Sequence, residues 1–340
     1  MYKENKVFKI NNLNFESLKK TLVIGEIGSN HNHNFSKTIK LINEAKKAGC
    51  DAVKFQLFKA DTIIQKKYPG WKILKKLELK VSWLKKLKNY THKKNMLFSV
   101  TPFDLESAKV LKKISIDFFK IASTELEDFE LIKEVANSRK PIILSTGAAR
   151  LIEISEAVEI LRKKKNNLAL LHTVSIYPPR IEQMNLNMIN SLKQTFHLPI
   201  GFSDHSTSST LPIVAVSLGA CIIEKHITLD KKTKGPDHHF SLEPNELKIM
   251  IKGIREIEKC MGSKIKQPVV NDEKKGLARR IVSLKNLEKN EKIKIKNLII
   301  KRAKTSGIHP RDFEKILGLS VKKNIKADDI LKWSDFKSSE

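Results

Sequence analysis

LFSVTPFDLESAKVLKKISIDFFKIAST (97–124) holds one complete strand–helix–strand unit. An apolar run, LFSVTPF (97–103), leads into the helical segment ESAKVLKKI and then into a second run, FFKIAST (118–124). Short apolar runs rich in β-branched and aromatic residues read as buried strands, and a longer 3.6-periodic stretch reads as a helix. The alternation continues on both sides. Upstream lie TLVIGEIG (21–28) and AVKFQLF (52–58). Downstream lie PIILSTG (141–147), LALLHTV (168–174), PIGFSDHS (199–206) and CIIEKHIT (221–228). KTIKLINEAKKAG, FELIKEVANS, ISEAVEILRKK and TLPIVAVSLGA separate them as helices. Eight such units predict an α/β fold, a parallel (β/α)8 TIM barrel. A doubly wound open sheet is the alternative, but none of the first turns carries GxGxxG.

In such a barrel the site lies at the C-terminal ends of the strands. Those ends carry Glu26, Lys54, Gln56, Thr101, Lys120, Ser123, Ser145, Thr146, His172, Ser175, Ser203, Asp204, His205, Glu224, Lys225 and His226. Charged groups within strands are costly unless paired or used, so one or more on every strand converges on a polar pocket. His205 and His226 end consecutive strands, and neighbouring strands lie about 5 Å apart. They are expected to share a metal ion, with Asp204 and Glu224 beside them as orienting acids. His31, His33, His238 and His239 lie in loops and read as solvated side chains. Lys54 and Lys120 read as an anion clamp or, alternatively, as a Schiff-base amine. Ser123, Ser145 and Ser203 offer hydroxyls to the same anion, although Ser and Thr also cap helices. Glu26 reads as a general base or hydroxyl-binding carboxylate, or as a structural partner of Lys54. Arg302 faces solvent unless the C-terminal lobe reaches a barrel mouth.

The flanks add smaller pieces. VFKINNLNF (7–15) holds two alternating runs around Asn-Asn, expected as a hairpin over the barrel bottom. The expected domains are a barrel over 1–265, a polar linker over 266–280 and a small lobe over 281–340. About sixty residues is near the lower limit for independent stability, so the lobe should dock on its own barrel or on a second subunit.

Composition excludes other classes. The 340 residues carry 65 Lys and Arg against 37 Asp and Glu, a net charge of +28. Only nine of the basic residues are Arg, and they are scattered; a nucleic-acid binder would concentrate Arg and aromatics. The surplus reads as a solvated lysine surface that attracts anionic substrates. No apolar run approaches the ~18 residues of a membrane span, and MYKENKVFKINNLNF lacks the features of a signal peptide. A cytoplasmic protein without nucleic-acid or membrane partners is expected. Three scattered cysteines are too few for a disulfide framework or a Cys-based zinc site.

GEIGSNHNHN, AGCDAVKFQ, FSVTPFD, FKIAST, LSTG, HTVSIYP, GFSDHS, EKHITLD and GPDHHFSLEP follow one another in an order that resembles the sialic acid synthases. These make nonulosonic acids and include N-acetylneuraminate, legionaminate and pseudaminate synthases. The resemblance covers the whole chain, and 281–340 resembles the family's SAF (antifreeze-like) domain. It implies a transferase that condenses phosphoenolpyruvate with an open-chain N-acetyl amino sugar, N-acetylmannosamine or a 2,4-diacetamido-trideoxyhexose, and releases phosphate by C–O cleavage. It implies a divalent metal, Mn2+ or Mg2+, held by His205 and His226. Phosphoenolpyruvate contacts would be Lys54, Thr101, Lys120, Ser123, Ser145, Ser175, Tyr177 and Ser203. Gln56 and Asp237 would approach the sugar or metal, and Glu26 matches an acid/base carboxylate. A domain-swapped homodimer would bring Arg302 to the partner's sugar.

The chain departs from the family pattern at three places, the first two toward the sugar. Arg302-Ala303-Lys304 stands where the family usually has Arg-Pro-Gly, His33-Asn34 stands where a Gly is usual, and Ser175 is Asn in some sialate synthases. A Schiff-base aldolase on the same barrel and a non-catalytic polyanion-binding protein are the alternative readings.

Overall fold

In the computed structural model, which describes residues 7–263, 265–266, 277–303 and 306–337, each of the eight runs forms a strand. An antiparallel hairpin, β1 (Val7–Ile10) and β2 (Leu13–Glu16), comes first. The barrel strands are β3 (Leu22–Glu26), β4 (Ala52–Leu57), β5 (Leu97–Pro102), β6 (Phe118–Ile121), β7 (Ile142–Ser145), β8 (Leu168–Thr173), β9 (Ile200–Asp204) and β10 (Ile222–His226). They run parallel in chain order, and β10 closes the barrel on β3 with His226 opposite Glu26.

Strand residues alternate between the inside and the helix layer. Leu22 and Ile24 of β3 share an apolar cluster with Ala52, Leu97, Phe118, Ile143, Ala169, Leu171 and Ile222 from the other strands. Val23, Val53, Phe98, Phe119, Leu144 and Ile223 belong to a second cluster with residues of the surrounding helices. Following the inner files upward gives Ile24 then Glu26, Ala52 then Lys54, Phe118 then Lys120, and Ile222 then Glu224 and His226. The barrel interior therefore passes from an apolar floor to a charged rim.

The hairpin seals that floor. Phe8, Ile10 and Phe15 are fully buried in the inner cluster, and Asn11 takes the positive φ of 52° at the turn. Truncating Phe15 to Ala would cost about 3–5 kcal/mol through lost burial and the cavity left behind.

Helices carry the chain back between strands. Asn34, Asp104 and Asp128 start the helices Phe35–Ala48, Leu105–Ile114 and Phe129–Ala136, each side chain accepting an orphan backbone N–H. The Lys-rich stretch 75–94 falls on two helices. It contains the end of Trp71–Leu77 and the helix Val81–Lys93. Among the described residues no helix is long and apolar enough to cross a membrane.

The chain divides into two compact units, residues 1–262 and 263–340. The second pairs β11 (Arg279–Ser283) with β12 (Leu298–Arg302) in antiparallel register. Ile281, Leu287, Ile293, Leu298, Ile308, Ile316, Val321, Ile325, Leu331 and Phe336 form its core. The expected linker over 266–280 lies largely outside the described residues, as does Lys304 of the Arg302-Ala303-Lys304 motif. β11 starts at Arg279, two residues ahead of the expected lobe boundary.

Candidate active site

The polar strand ends surround one cavity. Its wall includes Lys54, Gln56, Thr101, Lys120, Ser123, Ser145, Ser175, Tyr177, His205, His226 and Asp237. Phe103, Ala122, Thr124, Thr173 and Glu224 complete it. Two of the expected residues stand behind this wall. Glu26 is fully buried and reaches it through Lys54 and Gln56, which bond its carboxylate at 2.5 and 3.0 Å. Ser203 donates to Glu224 Oε1 at 3.0 Å. Arg302 ends β12 in the second unit and is exposed.

Lys54 Nζ contacts Glu26 Oε2 at 2.5 Å, Thr101 Oγ1 at 3.0 Å and Glu224 Oε2 at 3.7 Å. Lys120 Nζ lies 3.4 Å from Glu224 Oε1. All four ionisable groups are nearly or fully buried, so their charges depend on one another. Burial opposes the Lys54 charge, but Glu224 and Glu26 outweigh it and hold the ammonium above the ordinary lysine value. Burial would also raise Glu224; Lys120 and Lys54 instead hold it at about 2. Glu26 is lifted to about 7 by burial despite Lys54. Burial lowers Lys120 despite Glu224. A Lys54 kept charged by two carboxylates suits an anion clamp and not a neutral amine nucleophile.

His205 and His226 meet at the mouth with ring centroids 5.6 Å apart. His205 Nδ1 lies 2.8 Å from the Val174 carbonyl, so it donates there and leaves Nε2 as the lone-pair nitrogen. Tyr177 stacks on the His205 ring at 4.2 Å. His226 Nδ1 is buried, has no hydrogen-bond partner among the described residues and lies 3.9 Å from Asp237 Oδ2. Burial, reinforced by His226 at the first ring and by Lys54 at the second, holds both imidazoles at about 3. Two neutral imidazoles, one with an orphaned nitrogen and a carboxylate nearby, fit a divalent cation. Among the described residues no group of three or more His, Cys, Asp or Glu is gathered for a metal.

The expected orienting acids do other work. Asp204 pairs with Lys225 at 2.5 Å and accepts from the Ser206 N–H. Glu224 serves Lys54, Lys120 and Ser203. The reason for Asp204 is the strand period: it follows Ser203, so it faces the helix layer where Lys225 also points. The loop histidines also differ from expectation. His31 and His238 are 1% and 0% exposed. His31 Nδ1 accepts the His33 N–H at 2.9 Å, and His238 bridges Thr228 Oγ1 and Asn32 Oδ1 at 2.7 and 2.9 Å. His33 is half-buried, 2.8 Å from the Glu78 carbonyl, and only His239 of the four is exposed.

Besides Thr124, whose hydroxyl donates to Glu125, two polar wall residues escape the sequence reading as ligands, Thr173 and Glu224. The signal for both is position, two residues from an inward-facing neighbour (Leu171 and His226) in the same strand. Glu125, beside Ser123, is a further carboxyl raised to about 7 by burial.

A model of the NeuB family matches residues 41–266, and one of the SAF domain matches 278–337. An N,N'-diacetyllegionaminic acid synthase of Campylobacter jejuni is 41% identical over 334 residues, covering 93% of this chain and all of the relative. A pseudaminic acid synthase of the same species is 33% identical, covering 95% of this chain and 98% of the relative. A crystal structure of an N-acetylneuraminic acid synthetase from Leptospira borgpetersenii superposes with a TM-score of 0.76 at 34% identity, covering 79% of this chain and 94% of that one.

Proposed function

This chain belongs to the NeuB family and carries a SAF domain, and from that premise we propose that it condenses phosphoenolpyruvate with an N-acetyl amino sugar to a nonulosonic acid and phosphate. The observation that carries this reading is the meeting of a buried Lys54–Lys120 clamp and two neutral histidines in one cavity. The higher identity to the legionaminic acid synthase than to the pseudaminic acid synthase favours a 2,4-diacetamido-trideoxyhexose of mannose type as acceptor.

C3 of phosphoenolpyruvate bonds to the aldehyde carbon of the open-chain sugar. The oxygen of a water bonds to C2, and the C2–O bond to phosphate breaks. The C2=C3 and aldehyde C=O π bonds are consumed in the first of these steps. One proton of the water ends on the former aldehyde oxygen as the new hydroxyl, the other leaves with phosphate, and the water oxygen stays on C2 as the carbonyl.

Lys54, Lys120 and the hydroxyls of Thr101, Ser123, Ser145 and Ser175 hold the anionic substrate and set the face that C3 presents, so much of the effect is positioning. Glu224 keeps both ammonium groups in place before substrate enters. Glu26, behind Lys54 and Gln56, is a positioning residue that reaches substrate through those two side chains. His205 and His226 would hold Mn2+ or Mg2+, which when bound supplies Lewis acidity to the sugar carbonyl. Tyr177 backs His205, and Gln56 and Asp237 line the side open to the sugar. Arg302 of a partner subunit would complete that side in a domain-swapped dimer.

Incubation with phosphoenolpyruvate and each candidate sugar, followed by mass spectrometry, tests the reading. A nine-carbon acid with one sugar supports it; no product from any acceptor, with phosphoenolpyruvate intact, counts against it.

A further inference from the structure

Two hydroxyls in the barrel wall have no partner among the described residues. Ser145 Oγ at the end of β7 and Thr173 Oγ1 at the end of β8 are buried and lack hydrogen-bond partners among the described residues. Both residues line the cavity and are 1% and 6% exposed. Buried polar groups are nearly always bonded, so a pair left open on one cavity wall marks a place kept for a ligand.

Register explains where Thr173 points. Leu171 and Ala169, two and four residues earlier, pack in the apolar floor inside the barrel. The intervening His172 turns the other way, onto Phe202 and the Met184 carbonyl. Thr173 therefore continues the inner file. Gly147 shapes the space beside it. A Cβ there would lie 2.7 Å from the Thr173 methyl, 3.0 Å from Ser123 Oγ and closer still to Ser175 Oγ. Ser123 Oγ accepts the Gly147 N–H at 2.9 Å, which leaves its own proton to donate. Three hydroxyl residues thus crowd around a glycine that has no room for a side chain.

We propose that the Thr173 hydroxyl is a substrate ligand, which with Ser123, Ser145 and Ser175 forms a hydroxyl-lined subsite for the phosphate of phosphoenolpyruvate. This rests on the function proposed above and adds a residue to it. A tetrahedral phosphate offers three terminal oxygens and takes more donors than a planar carboxylate, and Lys120 in the same wall supplies charge.

The test is calorimetric titration of the full chain with phosphoenolpyruvate and, separately, with inorganic phosphate, together with steady-state kinetics. Thr173→Val keeps a branched side chain and loses the hydroxyl; Thr173→Ser keeps the hydroxyl and loses the methyl. Thr173→Val should weaken both ligands about ten- to a hundred-fold, the range for a hydrogen bond to a charged group. It should raise KM for phosphoenolpyruvate and leave KM for the sugar. Thr173→Ser should retain most of the affinity. Unchanged affinity in Thr173→Val overturns the proposal, as does an equal loss in Thr173→Ser, which would assign the effect to packing against Gly147. Phosphate binding that depends on Thr173 in a protein that turns over no sugar would sustain the subsite while the synthase reading failed. Wild-type protein that binds neither ligand overturns the subsite.

Discussion

His205 and His226 stand edge to face at the barrel mouth, 69° between ring planes and 5.6 Å between centroids. They end neighbouring strands and are both kept neutral by burial. His205→Ala or His226→Ala should abolish measurable Mn2+ binding by calorimetry and cut turnover about 100-fold or more, at or beyond the upper end of what losing a mere supporting partner of a metal ligand costs. Circular dichroism should be unchanged. Full metal binding in either variant would remove that histidine from the donor set.

The Lys54–Glu26 pair is buried on both sides. Removing one partner of such a pair costs about 3–5 kcal/mol because the other charge is stranded. Lys54→Met should lower the urea midpoint accordingly, and adding Glu26→Gln should recover part of the loss. A double variant no more stable than Lys54→Met would show that Glu26 is not the group stranded.

His31 and His238 give a pH dependence. Burial holds each at about 4 instead of 6.5. The unfolded chain therefore takes up these protons first as pH falls, so the stability they contribute is full above about 6.5 and is lost toward pH 4. Protonation would also break the bonds accepted at His31 Nδ1 and, from Thr228, at His238 Nδ1. Denaturation midpoints between pH 7 and 4 should fall less steeply in His238→Gln than in wild type. Parallel curves would contradict this.

Arg302 gives a test of assembly. Mixing His226→Ala with Arg302→Ala protein, each inactive alone, should restore part of the activity if the lobe serves a partner's barrel. No recovery after verified subunit exchange would assign the lobe to its own barrel.

Much of this is legible without the structure. The eight strands show because each is a short apolar run, and the rim shows because each run ends in groups that seldom sit inside strands. What the sequence hides depends on faces and distant partners. Asp204 adjoins His205 in the chain, yet the strand period turns it to Lys225. His238 looks like a loop residue, but its partner Asn32 is 206 positions away. Thr173 is inconspicuous beside His172, and only the inner file reveals which of the two enters the cavity. Glu26 is legible as a rim carboxylate; that Lys54 and Gln56 stand between it and the cavity requires the fold.

The most direct test of the synthase assignment is phosphate release from phosphoenolpyruvate by metal-stripped protein. N-acetylmannosamine and the 2,4-diacetamido-trideoxyhexoses of mannose and altrose type would be supplied in turn, with and without Mn2+. Release is expected only when Mn2+ and the mannose-type diacetamido sugar are both present. Release that continues unchanged under chelation, or silence with all three sugars from folded protein, would contradict it.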